Sequence, residues 1–281
     1  MKSTVKNAYA KINLALDVIG KKSDGYHELD GVMHSIELCD IITVTKTSGS
    51  IKIISDIDLP EDNTIIKAAR LYSDAAGIEI GAEIQVEKHI PSESGLGGAS
   101  ADAAAVLSSL CELFLPLENE QLYEFAKKVG ADVPFCLHGG CARAGGIGEK
   151  LTDVTPQKLN ILLVKNKKGI STKKLFDICD SYIQNETHTD RIDKLINACY
   201  EHRLDGICSN MFNSLESAAI SLCPEIELTK RQLISCGALC AMMTGSGSCV
   251  YGIFNSAEAV ADAYKQMQQY NYDYLKISKT I

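Results

Sequence analysis

The residues best suited to chemistry lie in three glycine-rich stretches. The densest is Pro91-Ser92-Glu93-Ser94-Gly95-Leu96-Gly97-Gly98-Ala99-Ser100-Ala101-Asp102, set between a strand-like run and a long segment of helical apolar spacing. Glycines let backbone N–H groups approach an anion closely, and a helix N-terminus adds unsatisfied donors and a favourable dipole, so the chemistry on offer is phosphate binding. The run is not G-x-x-x-x-G-K-[ST], and it departs from G-x-G-x-x-G because Ser100 holds the last glycine position. On these residues alone a plain turn and a new phosphate loop are both open. The second stretch, Val129-Gly130-Ala131-Asp132-Val133-Pro134-Phe135, continues through Gly139-Gly140-Cys141-Ala142-Arg143-Ala144-Gly145-Gly146-Ile147-Gly148-Glu149 and holds one carboxylate, Asp132, among apolar neighbours. Asp132 is either a helix cap or turn residue or an acid–base group in a tight site. The third, Met243-Thr244-Gly245-Ser246-Gly247-Ser248-Cys249, leads into a strand-like run and either closes over a ligand or turns the chain.

These stretches need elements to hold them. Residues 8–19 alternate, with Ile12, Leu14, Leu16 and Val18 on one side and Lys11, Asn13, Ala15 and Asp17 on the other, the period of a half-buried strand. By position alone Lys11 reads as an exposed strand lysine. Lys21-Lys22-Ser23-Asp24-Gly25 is a polar turn. Further strands are expected at 32–38, 41–46, 51–55 and 82–88, and a helix over 63–76 capped by Asn63 or Asp62. Ala103, Val106, Leu107, Leu110, Leu113 and Phe114 recur at threes and fours, predicting an amphipathic helix from Ser100. A second helix over about 119–129 stops at Gly130. Ile161-Leu162-Leu163-Val164 reads as a buried strand; helices then dominate to about 235, before a strand near 249–254 and a helix over about 256–268. Strands followed by helices in each half give an α+β chain with a boundary near 155, dividing residues 1–155 from 156–281.

Composition narrows the function classes. At 281 residues, with 46% hydrophobic and 23% charged residues, the chain can bury a core without staples, which excludes disordered and fibrous architectures. A net charge of −8 argues against nucleic acid or an anionic membrane surface as partner. No apolar run approaches the ~18 residues of a membrane span, and the N-terminal residues carry no signal-like core. The expected location is cytoplasmic. The eleven cysteines form no C-x-x-C pair and read as reduced, buried small hydrophobes rather than disulfide partners or metal ligands.

Taken in order, the three stretches resemble the motifs of the galactokinase, homoserine kinase, mevalonate kinase and phosphomevalonate kinase (GHMP) superfamily. Ala10-Lys11-Ile12-Asn13-Leu14, Asp24-Gly25-Tyr26-His27-Glu28-Leu29 and Gly169-Ile170-Ser171-Thr172 are similar to its branch acting on a cytidine-diphosphate-bearing polyol in isoprenoid precursor synthesis outside the mevalonate route. The resemblance spans residues 8–254. It implies a two-domain α+β GHMP kinase fold, an ATP-binding N-terminal domain with an unusual left-handed βαβ crossover, and an active site in the cleft between domains. It implies ATP held by residues 91–101 (Pro91, Ser92, Glu93, Ser94, Gly95, Leu96, Gly97, Gly98, Ala99, Ser100 and Ala101), with Mg²⁺ bridging phosphate oxygens through protein ligands the sequence does not assign. Asp132 would orient the acceptor hydroxyl and take its proton beside Lys11, and Asn13, on the strand face of Lys11, would face the same site. Tyr26 and His27 would contact cytidine, Phe176 would cover the other face of the ring, and Thr172 would meet substrate. The family usually writes G-L-G-G-G-S-S-D-A-A; here Ala99 and Ala101 replace Gly and Ser, and Ala99 fits only at negative φ. The rival readings are a kinase of the same superfamily acting on mevalonate, homoserine or a sugar, which would have no use for a pyrimidine site, and a nucleotide-binding regulator without turnover. His89, His138, His188 and His202 match no site pattern. Oligomeric state is not legible.

Overall fold

Asn63 ends an extended stretch, and its side-chain oxygen accepts the Ile66 N–H at 3.0 Å. That bond satisfies one of the donors a helix start leaves open. The helix it caps stops at Gly77, whose φ of 63° is the left-handed conformation glycine adopts without strain. The computed structural model describes residues 2–23, 25, 27–179, 181 and 188–281. Among them the elements run β1 (Ser3–Lys21), β2 (His27–Lys46), β3 (Lys52–Ser55), α1 (Thr64–Ala76), β4 (Ala82–Glu87), α2 (Gly98–Leu113), α3 (Asn119–Val129), α4 (Val133–His138), β5 (Cys141–Gly146), β6 (Lys150–Asp153) and β7 (Asn160–Lys165). They continue as α5 (Thr172–Cys179), α6 (Thr189–Tyr200), α7 (Leu204–Asn210), β8 (Phe212–Asn213), α8 (Glu216–Leu222), α9 (Glu225–Ser235), β9 (Cys240–Met243), β10 (Val250–Phe254), α10 (Ala257–Met267) and β11 (Tyr274–Lys279).

The described residues divide into two compact units, each built from separated pieces of chain. One comprises the segment up to Ala10, Leu38–Ile90 and Gly97–Gly139; the other comprises Lys11–Glu37, Pro91–Leu96 and the chain from Gly140 onward. In the first, β4 lies antiparallel to the later half of β2 with Ile42 opposite Val86. β3 lies parallel to β4, so β3–α1–β4 is a βαβ crossover. The anticipated stripe of α2 is buried at Ala103, Val106, Leu107, Leu110 and Leu113, against an α1 that buries Ile65, Ala68, Ala69 and Tyr72. Tyr72 pins the end of α2, its hydroxyl donating to the Leu115 carbonyl at 2.7 Å and accepting from the Leu115 N–H at 2.8 Å.

In the second unit the early half of β2 pairs antiparallel with β5, and β5 turns back as β6. β1 pairs in parallel with β8, placing Leu16 opposite Asn213. A second, antiparallel sheet has the order β11-β7-β10-β9. Its core gathers Leu162, Val164, Leu175, Leu215, Val250, Phe254, Val260 and Met267 around Leu16 and Val18 of β1.

Several expectations change. β1 is not half-buried: from Ala10 to Val18 both faces are covered, including Lys11, Asn13 and Asp17, so the exposed-lysine reading of Lys11 fails at 3% exposure. The two strands expected at 32–38 and 41–46 are one strand, because Asp40 between them is buried and its carboxylate accepts the N–H groups of His89 (2.5 Å) and Ile90 (2.7 Å). Gly130 does end α3, but in extended conformation at φ −175° rather than as a left-handed stop. The cysteines are uniformly outside disulfides, and only some are buried: Cys39, Cys111, Cys136, Cys208, Cys236 and Cys240 are half-buried. Among the described residues no helix is long and apolar enough to cross a membrane.

One buried group in the second unit has a measurable consequence. The His34 ring accepts the Gln157 N–H at Nε2 (2.9 Å) and meets the Ser35 carbonyl at Nδ1 (3.0 Å), and burial lowers its pKa to about 4. The unfolded histidine binds a proton below about 6.5 while the folded one does not, so stability is lost as pH falls from about 6.5 to about 4. At about 1.4 kcal/mol per unit, the expected contribution is about 3 kcal/mol. Denaturant unfolding of wild type and His34→Gln across that range measures it: the variant should lose about 3 kcal/mol less, and parallel losses would contradict the assignment.

Candidate functional site

Lys11 and Asn13 lie two residues apart on β1 and share a face. The Lys11 ammonium donates to Asn13 Oδ1 at 2.8 Å, and the Lys11 backbone N–H donates to the Leu96 carbonyl at 2.9 Å. Asn13 is gripped at both backbone ends: its N–H donates to Thr244 Oγ1 at 3.1 Å, and its carbonyl accepts the Tyr251 hydroxyl at 2.7 Å. The ammonium is thus bonded to Asn13 of its own strand, and that strand is tied to the third glycine stretch through the Asn13 N–H.

The first and third stretches are stacked on one another. Ser248 and Cys249 donate their N–H groups to the carbonyls of Glu93 (3.1 Å) and Ser94 (3.2 Å). Ser94, itself buried, ties the turn internally by donating to the Pro91 carbonyl at 2.6 Å. Gly95 has a φ of 72°, and a Cβ placed on it would lie 2.1 Å from the Thr244 carbonyl oxygen. Conformation and space both demand glycine here. Gly245 answers to the same geometry from the other side, since a Cβ there would sit 3.1 Å from Lys11 Nζ and 2.8 Å from the Gly95 carbonyl.

The helix that follows begins at Gly98, two residues before the Ser100 start expected from the sequence. Gly97 (φ 75°, ψ 20°) is the N-cap of α2, and no side chain caps the helix. Ser100 and Ala101 already donate to the Gly97 carbonyl, at 3.1 and 2.9 Å, which narrows the donors at this end to Gly98 and Ala99. An uncapped N-terminus of a 16-residue helix after a glycine turn offers the charge and donor direction that suit an anion. Ala99 is helical, and the non-glycine residues of positive φ among those described are Glu93 and His202, so the condition for alanine in that position is met. Its carbonyl accepts the Thr64 hydroxyl at 2.7 Å.

Beneath this helix start lies an ion cluster that sequence reasoning missed. Lys88 pairs with Asp102 Oδ2 at 2.6 Å and with Asp40, and both carboxylates are almost fully buried. Burial first, then the Asp40 carboxylate, pushes the Asp102 pKa up to about 7 against the pull of Lys88. Asp102 Oδ1 is buried without a hydrogen-bond partner. Asp102 closes the first glycine stretch and Lys88 stands three residues before it begins, but nothing local marks Asp40, which arrives from 48 residues upstream of Lys88.

Asp132 occupies the N-cap position of α4 at φ −85°, but its side chain makes no capping bond; only its carbonyl does helical work, accepting the Cys136 N–H at 3.0 Å. The residues after it, Val133, Pro134 and Phe135, are buried and anchor the turn. Within the other unit, His27 and Phe176 come together with ring centroids 4.9 Å apart and planes tilted by 34°. Cys179 lies behind them, its Sγ 3.6 Å from His27 Nε2. Thr172 opens α5, and its hydroxyl shares a 2.7 Å hydrogen bond with Ser246 of the third glycine stretch. Tyr26 falls outside the described residues.

The model described as GHMP kinases N terminal domain matches residues 63–140, and that described as GHMP kinases C terminal matches residues 187–273. The chain is 40% identical over 279 residues to a 4-diphosphocytidyl-2-C-methyl-D-erythritol kinase of Clostridium tetani, covering 98% of this chain and 99% of the relative. It is 41% identical over 280 residues to the protein of that name in Acetivibrio thermocellus, covering 97% and 98%. A crystal structure of 4-(cytidine 5'-diphospho)-2C-methyl-D-erythritol kinase superposes with a TM-score of 0.84 at 28% identity, covering 99% of each chain. An uncapped helix behind a glycine turn, a strand lysine held by a second glycine loop and matches of this extent agree: the chain belongs to the GHMP kinases and, within them, to the family of 4-diphosphocytidyl-2-C-methyl-D-erythritol kinases.

Proposed function

We propose that this protein is a cytoplasmic kinase that transfers the γ-phosphoryl group of ATP to the 2-hydroxyl of 4-diphosphocytidyl-2-C-methyl-D-erythritol. The observation carrying this reading is the near-full-length match to kinases of that name, and the α2 terminus agrees with it in kind. Residues 91–101 hold the nucleotide phosphates, with the open N–H groups of Gly98 and Ala99 as principal donors. Phosphoryl transfer needs positioning and charge neutralisation more than covalent help from the protein. Lys11 supplies a fixed positive charge to the transferring group. Asp132, whose carboxylate does not cap α4, orients the acceptor hydroxyl and takes its proton. A weak base suffices when the proton leaves late in a loose transition state. Asn13, Thr172, Tyr26, His27 and Phe176 bind the acceptor; the tilted His27–Phe176 pair supports a pyrimidine site that combines an aromatic face with a polar ring nitrogen.

Mg²⁺ is the proposed metal. The unpartnered Oδ1 of Asp102 offers one hard donor near the start of α2, and no group of three or more His, Cys, Asp or Glu side chains suited to a metal exists among the described residues. That donor set fits an ion whose remaining ligands are phosphate oxygens and water. When bound, the ion would neutralise charge on the nucleotide phosphates.

ATP consumption by the purified protein with Mg²⁺ tests the reading, offering 4-diphosphocytidyl-2-C-methyl-D-erythritol, mevalonate, homoserine and a hexose in parallel. Turnover of the first alone, competitively suppressed by cytidine nucleotides, is the expected result. Preference for another acceptor would overturn the substrate assignment and the His27–Phe176 site together. ATP binding without turnover of any acceptor would make the protein a nucleotide-binding regulator.

A further inference from the structure

Asn213 is buried at 8% exposure on the two-residue strand β8, and every polar atom of its amide is engaged. Nδ2 donates to the Met243 carbonyl at 3.0 Å and to the Gly245 carbonyl at 2.9 Å, bracketing the start of the third glycine stretch. Oδ1 accepts the Leu215 N–H at 3.0 Å, which fixes the amide orientation that aims both donors at the loop. On its other side β8 is fastened to β1: Leu16 lies opposite Asn213, and the Ser214 N–H donates to the Leu16 carbonyl at 2.8 Å. β1 is the strand of Lys11 and Asn13, and the loop bracketed by Asn213 is the one touching them. Thr244 Oγ1 receives the Asn13 N–H, and Gly245 packs so closely that a Cβ would come within 3.1 Å of Lys11 Nζ.

From this arrangement we infer that Asn213 is a positioning residue for Lys11, its amide holding the Thr244–Gly245 backbone at the distance from β1 that sets where the Lys11 ammonium sits. The inference rests on the phosphoryl-transfer reading for its consequence in catalysis, not for its geometry. An isolated buried amide bonding two carbonyls two residues apart satisfies acceptors that the turn cannot satisfy within itself. Take it away and the loop is free to relax toward Gly95, whose carbonyl already lies 2.8 Å from a Cβ position on Gly245. The ammonium moves with it. Misplacement of a catalytic group by about 1 Å costs up to about 10²-fold in rate.

The test is a double-mutant cycle in the full-length protein: wild type, Asn213→Ala, Lys11→Met and the pair, with Asn213→Ser as a second route that retains one donor. Asn213→Ala should lower kcat by about 10- to 10²-fold, with KM for ATP and for the cytidyl acceptor within about twofold of wild type. Asn213→Ser should fall between, and the alanine change should cost nothing further in the Lys11→Met background. Losses that multiply in the double variant overturn the inference, as does full activity in folded Asn213→Ala. Unfolding of both Asn213 variants also counts against it, because a general structural role would then account for the residue. An activity-independent measurement separates this claim from the reaction itself: NMR of lysine ε-carbons without substrate. A shift in the Lys11 signal on Asn213→Ala upholds the placement even if the cytidyl acceptor is not turned over. Acceptor turnover with an unmoved Lys11 signal overturns the placement and leaves the reaction standing.

Discussion

Asp132→Asn is expected to lower kcat by about 10³-fold while leaving the KM for ATP within about twofold and the fold intact. The amide keeps the size of the carboxylate but cannot take a proton, and general-base catalysis is worth roughly 10²- to 10⁴-fold. The late proton transfer of a loose transition state keeps the loss below the upper end of that range. Folding should survive because the Asp132 side chain does not cap α4: the turn is held by the Asp132 carbonyl, which accepts the Cys136 N–H, and by burial of Val133, Pro134 and Phe135. Steady-state kinetics with both substrates, alongside thermal unfolding, reads all three quantities. A folded variant keeping more than about a tenth of the wild-type kcat, well short of the loss expected of a general base, would remove Asp132 from the chemistry and return it to the turn-residue reading.

Gly95→Ala is the second large effect, and it acts through structure. Left-handed backbone costs a non-glycine residue roughly 1–2 kcal/mol, and the added methyl would lie 2.1 Å from the Thr244 carbonyl oxygen, a backbone atom that cannot swing aside. Overpacking of that kind costs roughly 1–3 kcal/mol. The expected destabilisation is therefore about 2–5 kcal/mol, together with weaker ATP binding because the two stacked glycine stretches must part. Gly77→Ala is the control: it shares the left-handed conformation (φ 63°) but meets nothing within 4 Å, so it should cost only about 1 kcal/mol and leave the ATP KM unchanged. Equal stability losses in the two variants would show that backbone strain alone matters at Gly95.

Local pattern carried a good part of the fold. The Asn63 cap, the α1 helix, the apolar stripe of α2, the buried run of β7 and the strand of β10 were each visible, because capping and periodicity are written in neighbouring residues. Other elements were not. The β5–β6 hairpin lies in a glycine-rich stretch with no strand-like alternation; its pairing with β2 gives it form. β11 is specified by the open edge of β7, more than a hundred residues earlier in the chain. β2 ran through a polar position that reads as a break, because the corner at His89 and Ile90 supplied the partners its Asp40 needed.

The same division holds at the site. By itself the sequence determined the residue types capable of phosphate chemistry, the order of the three glycine stretches and Asp132 as a carboxylate among apolar neighbours, since each depends on identity and spacing along the chain; Lys11 became a candidate only through the family resemblance. Only the tertiary structure decided that the polar side of β1 is buried, that Gly95 and Gly245 must be glycine because each presses on the other's loop, and that Asn213 ties that loop to β1. It alone set Asp40 and Asp102 on either side of Lys88. Periodicity reports which face of a strand is apolar, but burial of the opposite face and the partner of a polar group depend on what packs there from remote segments, and no local spacing records it.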